Sequence, residues 1–184
     1  MDLQDKITLA QLGVEMCKEF LLDNELVVPK FSILTPEDRY YHVNSCGFYR
    51  AKLGVHVMPQ KCANLGVAGR NWSWPGHWID RTPYGVVAHE VGHHVHHFHY
   101  QNSNYVKDES GEKKLTNYCP NDLEWFAEMF RLFLTNPDLL RLIRPRTFGL
   151  LAEEFNCISE ETWQQVLHDA PERHIKLIKS KIKE

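Results

Sequence analysis

The alternation of apolar and polar positions divides the chain into helical and extended stretches. Ile7, Leu9, Ala10, Leu12, Val14, Met16, Cys17, Phe20 and Leu21 recur at helical spacing, which predicts a helix over residues 6–22. Short apolar runs after Pro29 predict strands, the better ones being Phe48-Tyr49-Arg50 and Leu53–Met58, the second stopped by Pro59. Residues 66–83 are rich in glycine and proline and carry Trp72, Trp74 and Trp78, so they read as a loop bearing aromatics. Val87, Val91, Val95 and Phe98 form an apolar ridge on a helix running from Tyr84 to Tyr100. The polar stretch 101–121 reads as a loop. A further helix runs from Leu123 to Leu134, with Asp122 as its N-cap and Asn136-Pro137 at its end. Shorter helices are expected over 138–144 and 160–184. The pattern predicts one α+β domain over residues 1–184.

Composition changes this picture at one place. Of the eleven histidines, six (His89, His93, His94, His96, His97 and His99) fall within a single predicted helix. The run His89-Glu90-Val91-Gly92-His93 is the His-Glu-x-x-His pattern of zinc hydrolases. Positions four apart on a helix differ by about 40° in azimuth and about 6 Å in rise, so two such imidazoles reach one point. With His89 at zero, Glu90 lies near ~100° and the valine ridge near ~160–240°, so the ligand face and the packing face are opposed.

A catalytic zinc takes three protein ligands and keeps a position for water. The third must come from elsewhere, and the helix after Asn121 offers two carboxylates. Glu124, Ala127 and Glu128 share a face of an otherwise apolar run. Carboxylates in such a run are costly to bury without partners, and a cation is a natural reason for them. Gly92 costs about 1 kcal/mol in a helix interior. Together with Ala127, it suggests two helix backbones in close approach. The residues alone leave open which of Glu124 and Glu128 is the ligand.

His89-Glu90-Val91-Gly92-His93 followed by Glu124-Trp-Phe-Ala127-Glu128-Met-Phe130 resembles the gluzincin arrangement. It is most similar to the catalytic domain of anthrax lethal factor and its relatives, and to the ImmA/IrrE group of small intracellular peptidases with their Glu-x-x-Ala-x-x-Phe helix. The likeness covers about residues 84–134. It implies a minimal zincin-like metallopeptidase domain, with a small mixed sheet packed on an active-site helix and a second ligand-bearing helix. It further implies Zn2+ held by His89, His93 and Glu124, with Glu90 as general base in peptide-bond hydrolysis. Glu128 would match the carboxylate that orients a ligand histidine. Tyr118 would match the family's oxyanion-stabilising tyrosine, although it stands one residue nearer the third ligand than that pattern has it.

Other candidates carry less. His99 has metzincin spacing from His93, but His96 occupies the position where that family's helix turns on glycine. On an unbroken helix His99 lies about 15 Å beyond His89 and about 80° off its azimuth. His94, His96 and His97 are expected to be solvated or, for His96, close to the ligand set. His77 is a loop residue that would reach the oxyanion only if the loop folds over the site. Gly54–Met58 is the strand nominated to bind a peptide substrate along its edge.

The remaining totals exclude more than they suggest. A net charge of −3 gives no electrostatic case for nucleic acid, and the basic amphipathic segment 172–184 reads as a helix packing Ile175, Ile178 and Ile182 inward. No run is apolar enough to span a membrane. The five cysteines form no Cys-x-x-Cys pair and the N-terminus lacks a signal-like stretch, so a reducing cytoplasm is expected. Nothing in the sequence specifies an oligomeric state. The alternative to an enzyme is a catalytically silent zinc-binding interaction or regulatory module. Glu90 argues against it, because structural zinc sites close with a fourth protein ligand.

Overall fold

A computed structural model describes residues 1–41, 44–64, 81–116 and 118–156 of the chain. Trp72, Trp74, Trp78, His77 and the helix expected over 160–184 lie outside these residues. Among them are six α-helices and a three-stranded mixed sheet, an α+β architecture.

Helix α1 (Leu3–Asp23) is longer than its apolar pattern because Asp2 and Asp5 close a reciprocal capping box ahead of it. Strands β1 (Phe31–Ile33), β2 (Gly47–Arg50) and β3 (Gly54–Val57) order as β1-β3-β2, with β1 parallel and β2 antiparallel to β3. The central strand is thus β3, buried along its whole length. Its backbone is paired on both sides, so the strand nominated for substrate cannot take an added one. Among the described residues the edges are β1 and β2, and β2 is the one that lines the site.

Helix α2 (Pro83–Phe98) starts on the Thr82 cap with Pro83 at its first position, where the missing N–H costs nothing. Its Val87, Val91 and Val95 ridge is buried against α1 and α4 (Asp122–Thr135), but Phe98 is 47% exposed at the helix end. The ridge is therefore one residue shorter than its periodicity suggested.

Three local readings change. Helix α3 (Tyr105–Ser110) interrupts the stretch expected to be a loop; only Val106 and Ser110 of it are buried, and Gly111 ends it in the left-handed region at φ 62°. The cap of α4 is Asn121, whose Oδ1 accepts the Glu124 amide at 3.0 Å. Asp122 is instead engaged by Lys107 and, at 2.8 Å, by Asn104. Helix α5 (Pro137–Ile143) matches expectation, but α6 (Pro145–Glu154) was not foreseen. Its N-terminal amides are capped by a distant residue: Glu112 accepts from Arg146 and Thr147 at 3.1 and 2.9 Å. That carboxylate also favours the positive end of the helix dipole.

The α2–α4 crossing positions the site. A Cβ built on Gly92 would lie 2.8 Å from Ala127 Cα and 3.0 Å from Ala127 O, so only glycine permits this approach. No helix of the described residues is long and apolar enough to cross a membrane.

Candidate metal centre

The α2–α4 contact faces the side chains of His89 and His93 toward Glu124. Glu124 Oε2 lies 3.0 Å from His89 Nε2, and its Oε1 lies 3.3 Å from His93 Nε2. All three ligand atoms fall within 4.8 Å of one another. Donors each about 2 Å from one tetrahedral centre stand about 3.3 Å apart, so the spacing suits a small divalent ion. A second observation agrees. Glu124 Oε2 is buried and, besides the His89 ring at 3.0 Å, meets no hydrogen-bond partner among the described residues, so a cation between the two would satisfy both.

Glu128 does different work one turn along α4. Its Oε1 accepts a hydrogen bond from His89 Nδ1 at 2.7 Å. Once the ring is neutral, this bond keeps its remaining proton at Nδ1 and leaves Nε2, which faces Glu124, free to bind a metal. Its Oε2 meets Arg81 at 3.0 Å and the Arg131 guanidinium one turn further on. The carboxylate is wholly buried, between two cations and an imidazole. Of the two acids the sequence left open, Glu124 faces both imidazoles and Glu128 faces the outer nitrogen of one.

These neighbours set the charges. Burial pushes the Glu128 carboxyl up, but the Arg131 guanidinium and the His89 ring outweigh it and bring it down to about 2. Burial likewise opposes a charge on His89, and the carboxylates of Glu124 and Glu128 overcome it, raising the ring to about 9. Glu124 is held well below the usual carboxylate range by the two imidazoles, against its own desolvation. Glu90 goes the other way: burial raises it above the ordinary carboxylate range, only partly offset by His89 and His93.

The group opens into a cleft of ≈410 Å³. It is lined by the β2 strand, by Tyr118, Asn121 and Leu123, and by His89, Glu90, His93 and Glu124. Tyr118 is 40% exposed, with its ring 5.9 Å from that of His89. Arg81 stacks over the same tyrosine ring at 4.6 Å. Arg81 and Arg131 escaped the sequence reading. Arg131 had a signal in its three-residue spacing from Glu128, whereas Arg81, 47 residues from Glu128, had none.

His94, His96, His97 and His99 do not join the three-residue group. His94 and His96 are buried rather than solvated. His94 donates to the Val27 carbonyl at 2.6 Å. His96 donates to the Ser103 carbonyl at 2.8 Å and stacks on Phe126, which turns it away from the ligands. His99 pairs with Glu154 at 2.6 Å, as befits its position beyond the ligand face. His97 lines the far end of the cleft beside Asn102.

No family model, curated protein or solved structure matches the chain. The case for a function rests on the residues and their geometry.

Proposed function

We propose that this chain is a zinc-dependent metallopeptidase of zincin-like, gluzincin type, acting on peptide or protein substrates. One observation carries the reading: two imidazoles from α2 and a carboxylate from α4 converge on one point, with the further carboxylate of Glu90 beside them in an open cleft. His89, His93 and Glu124 would hold the zinc, a donor set of two nitrogens and an oxygen that zinc accepts with one position left open. When bound, such an ion supplies Lewis-acid chemistry, acidifying a water and polarising the scissile carbonyl.

The chain's own groups do the rest. Glu90, made more basic by burial, accepts the proton of the attacking water and delivers it to the leaving amine. Glu128 keeps the His89 proton on Nδ1 and so keeps Nε2 available. Tyr118 lines the cleft with its ring 5.9 Å from that of His89, and its hydroxyl would donate to the developing oxyanion. The edge of β2 that no described strand pairs, with all four of its residues lining the cleft, suits an extended peptide added as a strand.

The test is zinc content and cleavage of a mixed peptide library by wild type and Glu90→Gln. Wild type is expected to retain one zinc and cleave. The variant is expected to retain zinc and lose about a hundredfold or more in rate. Wild-type rates from Glu90→Gln would end the enzymatic reading, and zinc without turnover in either protein would favour the silent interaction module.

A further inference from the structure

Two cysteines share a small cage behind the cleft wall. Cys46 immediately precedes β2, and its carbonyl accepts the Met58 amide at 2.8 Å. That pairing brings the 3₁₀ turn Pro59–Lys61 and the following Cys62 against it. The Cys62 thiol sits 3.4 Å from the Met58 carbonyl and 3.7 Å from that of Cys46. The Cys46 thiol sits 3.3 Å from the carbonyl of Lys61, the residue before Cys62, so each thiol packs on the other's stretch of backbone. Both are free thiols.

Their surroundings make them unequal partners. Cys46 is half-buried, whereas Cys62 is 3% exposed. The hydrogen bond from Cys62, aided by the positive charges of Arg81 and Lys6 against burial and the negative charge of Glu90, brings Cys46 down to about 7. Lys6 is anchored at this spot, its ammonium donating to the Cys62 carbonyl at 2.6 Å. The Cys46 neighbour and burial push Cys62 up, and burial pushes Cys17 and Cys119 up, so Cys46 is the one of the four that ionises readily.

We propose that Cys46 and Cys62 are a reversible thiol pair for small hydroperoxides, with Cys46 the attacking thiolate and Cys62 the resolving thiol. The Cys46 sulfur attacks one peroxide oxygen; the O–O bond breaks and hydroxide leaves, giving a sulfenic acid oxidised by two electrons. The Cys62 sulfur then attacks the Cys46 sulfur. The S–S bond forms, the S–O bond breaks, and water departs with the Cys62 proton. A dithiol reductant returns both thiols. The bond would tie the start of β2 to the turn after β3, one residue from Gly47, whose backbone packs against Val86 and Glu90. A transient pair of this kind fits a reducing compartment better than a structural disulfide does.

The test treats the full chain, carrying Cys157→Ser because Cys157 lies outside the described residues, with substoichiometric hydrogen peroxide. Peptide mapping without reductant is expected to show a Cys46–Cys62 linked peptide that dithiothreitol removes. With Cys62→Ser, dimedone is expected to trap a sulfenic acid on Cys46; with Cys46→Ser, Cys62 is expected to stay unmodified. Brief iodoacetamide treatment of the native chain, which needs no folding of a variant, is expected to label Cys46 ahead of Cys17 and Cys119. A map without the Cys46–Cys62 peptide, or oxidation of Cys17 or Cys119 first, overturns the proposal.

Discussion

Charge compensation around the imidazole pair depends on single side chains, and so do its consequences for pH. In the metal-free protein His89 is raised from its ordinary value to about 9, so its stabilising interactions are complete below about pH 6.5 and fade as pH rises through 9. Glu124 and Glu128 are lowered, so their contribution is present above about pH 4.5 and fades as pH falls. The metal-free chain is therefore expected to be most stable between these limits, with melting temperature dropping on the alkaline side as His89 deprotonates. Thermal scans across pH after chelation check this. Ligation requires a neutral ring, so near pH 7.5 zinc uptake is expected to release about one proton from His89. Calorimetric titrations in buffers of different ionisation enthalpy count that proton. A heat independent of the buffer would mean that His89 is already neutral.

Glu124 and Glu128 separate by role. Glu124→Ala removes a donor and is expected to abolish zinc retention. Glu128→Ala is expected to weaken metal affinity by about tenfold to a hundredfold, the range for partners that orient a ligand. It also removes a buried carboxylate met by two guanidinium groups, at a cost of about 3 kcal/mol in stability. Metal analysis and denaturant unfolding of the two variants decide the matter; full zinc in Glu124→Ala would put the third ligand elsewhere.

At the scale of elements, α2 and α4 act as one unit because their backbones approach at Gly92 and Ala127. Gly92→Ala would have normally favoured a helix by about 1 kcal/mol. Here the added methyl meets main-chain atoms of Ala127 that cannot step aside, so the helices must separate. The expected result is a net loss of about 1–3 kcal/mol in the metal-free protein, together with weaker zinc binding, because Glu124 moves away with α4. Urea unfolding with and without zinc measures both parts. The Asn121 cap belongs to the same scale: Asn121→Ala is expected to cost about 1 kcal/mol by leaving the Glu124 amide without its acceptor. The sheet contributes an edge rather than a centre, since β3 is enclosed by β1 and β2.

For the whole molecule, a metal held by residues as far apart as His89 and Glu124 would link its binding to folding. Zinc at a thousandfold excess over its dissociation constant is expected to add about 4 kcal/mol to the folded state. A rise in melting temperature with zinc that Glu124→Ala abolishes would show this linkage. The cleft takes its shape from parts that meet only in the folded chain. Strand β2 comes from the N-terminal half, Tyr118 and Asn121 from the approach to α4, and Arg81 bridges Glu128 and the Tyr118 ring.

Read without its fold, the sequence determines what one helix can determine. The helical repeat alone sets His89 and His93 on one face, Glu90 at their flank and the valine ridge opposite, because i,i+4 geometry needs no tertiary partner. The α1, α2 and α4 segments were legible for the same reason, each declaring a continuous apolar stripe. The tertiary structure alone decides that Glu124 meets Nε2 of both imidazoles while Glu128 meets only Nδ1 of His89. That choice depends on the rotation and closeness of two helices in contact, which no local spacing encodes. It also decides which strand lies at the sheet edge, where α6 finds its cap in Glu112, and that His96 turns to Ser103. Each of these rests on a partner distant in the chain or on a backbone path that side-chain periodicity does not record.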